Sequence, residues 1–177
     1  MATSSVDHGV DRLGGEDGVE RRPVAVVGTH QLAFWRHRGG VPFLQIVDDD
    51  DTVREALKDF LEFHDFAVTA VDGAAQALQI VVGGDFDLVI SDLVMPRMDG
   101  IALIKAIREA GKDVPLLVMT GFASIEYAVE SMKAGATDFI TKPLKFDHVM
   151  LIINRVLQTS ALRQMAQARM AANDPAA

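Results

Sequence analysis

The sequence contains no cysteine, which excludes disulfides, thiol catalysis and zinc–thiolate centres. No apolar run approaches the roughly 20 residues that a membrane-crossing helix needs. The amino terminus lacks a basic start followed by an apolar core, and Val24-Ala-Val-Val27 is too short to serve as one, so no secretory signal is read. A cytoplasmic location is the expectation. A basic surplus is also missing. Residues 1–42 hold five acids and five bases, so the 20 acids and 12 bases that follow account for the whole net charge of −8. That balance offers no footprint for direct nucleic-acid binding. No glycine-rich loop follows the first predicted strand, which disfavours a nucleotide-binding protein.

With 177 residues, the chain fits one domain of about 100–150 residues plus tails. Residues 1–41 read as a poorly ordered leader, rich in glycine and charge, with apolar residues that follow no period. Val24–Val27 is a short strand candidate there, and Phe34-Trp35 a docking candidate. A downstream start codon would leave this leader out of the natural protein.

The pattern changes at Val41. Phe43–Val47 reads as a buried strand, and apolar residues at 53, 56, 57, 60 and 61 predict a helix over 52–64. Further strands are predicted at 66–71, 88–91, 114–119 and 137–140. Further helices are predicted at about 72–82, 101–110, 124–134 and 146–172. Asp72 and Ser124 are the expected caps of two of these, with Gly83-Gly84, Gly111 and Gly135 as helix ends. Strands apolar on both sides, alternating with helices, imply a parallel sheet covered on both faces. Right-handed crossovers make that an α/β doubly wound sandwich.

Chemistry-bearing residues gather just after the strands. The first strand runs into Asp48-Asp49-Asp50-Asp51, the third into Asp92, the fourth into Thr120-Gly121, and the fifth is followed by Lys142-Pro143. In a parallel sheet these ends share one edge, where open α/β proteins keep their ligand sites. Clustered carboxylates repel unless a cation or proton joins them. A hard, oxygen-seeking ion such as Mg²⁺ suits the group. A carboxylate beside that ion, a hydroxyl and a lysine is equipped to attack a phosphoryl group and form an aspartyl phosphate.

These residues carry a resemblance. Asp48-Asp49 after Val47, Asp92 in Ser-Asp-Leu-Val-Met-Pro-Arg-Met-Asp-Gly, Thr120 in Val-Met-Thr-Gly and Lys142 in Asp-Phe-Ile-Thr-Lys-Pro are similar to the motifs of response regulator receiver domains. The stretch from Gly121 to Phe139 resembles receivers of enhancer-binding transcription activators. The resemblance spans residues 42–160, with 161–177 as a helical extension and tail. It implies a five-stranded parallel sheet in the flavodoxin-like order 2-1-3-4-5. It implies that Asp92 accepts phosphate from a sensor histidine kinase or histidine phosphotransfer protein. Asp48, Asp49, Asp92 and the backbone carbonyl of Val94 would hold Mg²⁺, and Lys142 would pair with the phosphoryl group. Thr120 and Phe139 would form a switch pair that alters the face made by the fourth helix, fifth strand and fifth helix. Such a module is a regulatory phospho-acceptor rather than an enzyme of multiple turnover.

Plainer roles fit the neighbours. Asp50 and Asp51 read as caps of the first helix, Asp99 and Gly100 as turn-shaping residues, and Met95 and Met98 as packing or contact surface. The five histidines, His8, His30, His37, His64 and His148, show no ligand spacing. Val94 and Phe122 flank the site and cannot orient a hydrolytic water, so slow self-dephosphorylation is expected. The last helix continues through Leu162, Met165 and Met170, and this stripe, or the fourth-helix face, is a candidate homodimer surface. No helix-turn-helix, Walker A or GGDEF-like stretch follows, so the chain reads as a stand-alone regulator or a piece of a longer one. Two rivals stay open: a Mg²⁺-dependent phosphohydrolase with an aspartyl nucleophile, and a receiver-like interaction module that takes no phosphate.

Overall fold

A computed structural model describes residues 40–121 and 125–172. The predicted features at Val24–Val27, Phe34-Trp35, Phe122 and Ser124, and the tail after 172, lie outside the described residues. Five strands, β1 (Phe43–Val47), β2 (Ala67–Val71), β3 (Leu88–Asp92), β4 (Leu116–Thr120) and β5 (Asp138–Thr141), alternate with five helices. The helices are α1 (Asp51–Phe63), α2 (Ala74–Gly83), α3 (Gly100–Glu109), α4 (Ile125–Ala134) and α5 (Phe146–Ala172). All strand pairs are parallel, in the order β2-β1-β3-β4-β5.

The period of two along each strand sends side chains to two separate cores. Leu44, Ile46, Leu88, Ile90, Leu117 and Met119 meet Leu57 and Leu61 of α1 and Ile152, Ile153, Val156 and Leu157 of α5. Val47, Val89, Leu116 and Val118 meet Ala77 and Val81 of α2 and Leu103, Ile104 and Ile107 of α3 on the other face. Each fully buried Leu or Ile contributes roughly 1.5–3 kcal/mol. This double burial is why the strands read as continuous apolar runs.

Local chemistry sets the helix starts. The Asp50 carboxylate accepts from the amides of Thr52 and Val53, and Asp99 accepts from that of Ala102. At α2 the expected cap is corrected: Gly73 occupies the N-cap, with no side-chain cap bond, and Asp72 stands one residue earlier. The fourth strand also starts later than its apolar run. Pro115 has no N–H to give to the ladder, so β4 begins at Leu116 and runs to Thr120. The final helix spans the predicted 146–172.

Candidate functional site

The ladder bonds continue one residue past β1, β3 and β5, and the chemistry sits at these ends: Asp92 and Thr120 close β3 and β4, while Asp48 and Lys142 follow β1 and β5. The Asp48 amide donates to the Val71 carbonyl, Leu93 to Met119 and Lys142 to Thr120. Asp48, Asp92, Thr120 and Lys142 are thereby held on one edge by backbone bonds from four different strands. The Lys142–Pro143 peptide is cis.

Lys142 joins the two inner acids. Its Nζ donates to Asp48 Oδ2 at 2.9 Å and to Asp92 Oδ2 at 3.0 Å. The other oxygen of each acid accepts from backbone: Asp48 Oδ1 from the Asp50 amide at 2.9 Å, and Asp92 Oδ1 from the Leu93 amide at 2.7 Å. Asp48 is fully buried, Asp92 is 7% exposed and Asp49 is exposed. Burial pushes the Asp48 carboxyl above its ordinary range, and the neighbouring Asp92 adds to this; the Lys142 ammonium and the Asp50 amide pull the other way and only partly offset it. For Lys142, burial opposes the charge, but its bonds to Asp48 and Asp92 outweigh burial and raise its pKa.

Asp48, Asp49 and Asp92 each present a carboxylate oxygen, and these atoms lie within 4.8 Å of one another. One ammonium does not balance three carboxylates. A hard divalent cation with oxygen preference fits the donor set and its open, exposed side at Asp49. Val94, whose carbonyl the resemblance assigns to the same ion, follows in the turn with its side chain 55% exposed.

Thr120 is buried at the end of β4. Phe139, on β5, is 38% exposed and presents its ring outward. Asp50 and Asp51 serve α1, the first as its cap and the second as ion-pair partner of Arg54. Met95 is buried and Met98 half-buried in the core beside α3. His64 bonds the Phe60 carbonyl, and its ring lies tilted against Phe60 and edge-on to Phe63, while His148 is exposed.

One neighbour of the site was not singled out from the sequence, and a second was read only as a turn-shaping residue. Arg54 donates to the Asp48 carbonyl oxygen at 2.7 Å. Its one sequence signal is a cation in the first turn of a helix, where the dipole favours anions. Gly100 packs against the Asp92 backbone so closely that a side chain would collide with it.

The family profile for the response regulator receiver domain matches residues 44–154. The chain belongs to this family. Among relatives of this receiver, the transcriptional regulatory protein FixJ of Bradyrhizobium diazoefficiens is 38% identical over 121 residues, covering 68% of this chain and 57% of FixJ. The regulatory protein AtoC of Escherichia coli is 34% identical over 119 residues, covering 67% of this chain and 26% of AtoC. The receiver chain thus spans less than two thirds of either relative. The crystal structure of FixJ-N is similar with a TM-score of 0.63 and 33% identity, over 66% of this chain and 94% of that one. The receiver domain of the Francisella response regulator 1452 is similar with a TM-score of 0.64 and 26% identity, over 67% of this chain and 98% of that one. No described helix of this receiver is long and apolar enough to cross a membrane.

Proposed function

We propose that Asp92 accepts a phosphoryl group from the phosphohistidine of a sensor histidine kinase or histidine phosphotransfer protein. The observation that carries this reading is the bridge from Lys142 Nζ to both Asp48 and Asp92. It puts a fixed positive charge against the carboxylate that would attack. An Asp92 oxygen forms a bond to phosphorus as the phosphorus–nitrogen bond of the donor imidazole breaks. The electron pair stays on that nitrogen, and the imidazole leaves neutral with its other nitrogen protonated. Lys142 and the Thr120 hydroxyl meet the charge on the transferring oxygens. Asp48, Asp49, Asp92 and the Val94 carbonyl would hold Mg²⁺, which supplies further neutralisation of phosphoryl charge.

The exposed Phe139 on β5, with Thr120 buried on the neighbouring β4, supports the switch role of this pair. Tyr127, Val129 and Met132 on α4, with Phe139 on β5, leave apolar area exposed, as do Leu162 and Met170 on α5. These support a homodimer through α4-β5-α5 or the last helix. The domain is proposed to span 42–160, with 161–177 as its extension.

The test is intact mass after incubation with Mg²⁺ and acetyl phosphate, with Asp92→Asn alongside. Addition of one phosphoryl group to the parent and none to the variant is expected. Equal labelling of both would refute Asp92 as acceptor, and rapid multiple turnover would favour a phosphohydrolase.

A further inference from the structure

Arg54 is a cation in the first turn of α1, a place where the helix dipole works against it. Its side chain is nonetheless 13% exposed and held. Nη1 donates to the Asp48 carbonyl oxygen at 2.7 Å, and Nη2 pairs with Asp51. The charged groups facing it are Asp51, Asp72 and Glu55. None of these belongs to the Asp48, Asp49 and Asp92 cluster.

With this bond, every oxygen of Asp48 is occupied. The carbonyl accepts from Arg54, Oδ1 from the Asp50 amide and Oδ2 from Lys142. The carbonyl that Arg54 holds belongs to the peptide joining Asp48 to Asp49. Rotation of that peptide would carry the exposed Asp49 carboxylate away from the buried Asp48 one. The planar guanidinium spans the Asp48 carbonyl and the Asp51 carboxylate together, which a single ammonium matches poorly.

We infer that Arg54 is a positioning residue: it locks the Asp48–Asp49 peptide so that both carboxylates face one divalent cation. This rests on the metal-assisted phospho-acceptor reading above. Charge and geometry make opposite demands here. A positive side chain near a cation site repels the cation, so charge alone predicts tighter Mg²⁺ binding when Arg54 is removed. Positioning predicts weaker binding.

Calorimetric titration with Mg²⁺ of the full chain, Arg54→Met and Arg54→Lys separates these. About ten-fold weaker binding by Arg54→Met is expected, the usual scale for losing a group that orients a ligand. Weaker binding by Arg54→Lys, which keeps the charge, is also expected. Equal or tighter binding by Arg54→Met would overturn the inference. Amide hydrogen exchange on metal-free protein is the second readout. Faster exchange at Asp50, whose amide bonds Asp48, is expected in both variants at unchanged denaturation midpoint. Unchanged protection there would overturn the inference independently. Should the parent bind no Mg²⁺, the metal-assisted reading fails, and the exchange data alone decide the role of Arg54.

Discussion

A β carbon on Gly100 would stand 2.4 Å from the carbonyl oxygen of Asp92. The Leu93 Cα would be 3.0 Å away, and the Gly100 amide already donates to the Leu93 carbonyl. All these atoms are backbone, so nothing flexible can yield. Gly100→Ala is expected to lower stability by about 1–3 kcal/mol, the scale of overpacking in a tight core. It should also slow phosphoryl uptake by displacing Asp92. Urea denaturation and a time course of intact mass check the two effects.

The buried Asp48 carboxyl, raised above its ordinary value of 3.8, binds its proton more readily folded than unfolded. Stability contributed by this group therefore falls as pH rises from 3.8 through the raised value. Asp48→Asn removes that loss while leaving Lys142 paired with Asp92. The variant is expected to gain on the parent as pH rises through this window and to hold that gain at pH 7. Denaturation curves at a series of pH values measure it. If Mg²⁺ binds as proposed, its stabilisation of the parent is expected to fade, on acidification, at a higher pH than an unperturbed carboxylate would allow. Thermal melts with and without Mg²⁺ report this.

Arg97 sits in the turn after β3 at φ +69°, the left-handed region that costs a residue with a β carbon roughly 1–2 kcal/mol. Its side chain is exposed, so little packing is lost on removal. Arg97→Gly is expected to stabilise by about 1 kcal/mol. A raised urea midpoint with an unchanged slope would bear this out.

Gln45, on β1, is fully buried, and its Oε1 and Nε2 have no hydrogen-bond partner among the described residues. It lies in register between Thr69 of β2 and Val89 of β3. Unpaired buried amide groups cost about 1–3 kcal/mol. Gln45→Leu, close in volume, is expected to raise stability by at least 1 kcal/mol, read from the same denaturation curves.

Val94 follows Asp92 by two residues and is exposed beside the site. An aliphatic side chain neither donates nor accepts a proton, so it cannot orient an attacking water. Val94→Asn is expected to shorten the lifetime of the phosphorylated form several-fold. Phosphoryl loss followed by intact mass checks it, and equal or slower loss would count against it.

Much of this receiver is readable in one dimension because its signals are local or periodic. Strand burial on both faces shows as runs such as Leu88-Val-Ile90, and α1 and α5 show as apolar spacing. Parallel connectivity alone brings Asp48, Asp92, Thr120 and Lys142 to one edge. The misreadings are also local in cause. Pro115 looks like part of an apolar run until its missing N–H is counted, and Asp72 resembles a cap although the chain enters α2 through Gly73.

The order of elements, the sheet they imply and the identity of the acids, hydroxyl and lysine at its edge are legible along the chain. Residue type and spacing specify these. Contacts between residues far apart in the chain, or dependent on backbone path, emerge only on folding. Lys142 bridges Asp48 and Asp92 across 94 and 50 residues. The clearance at Gly100 depends on how the turn folds back on β3, and the grip of Arg54 on the Asp48 carbonyl depends on how α1 leaves β1. No pattern along one strand of sequence encodes such distances, because they arise only when the elements pack.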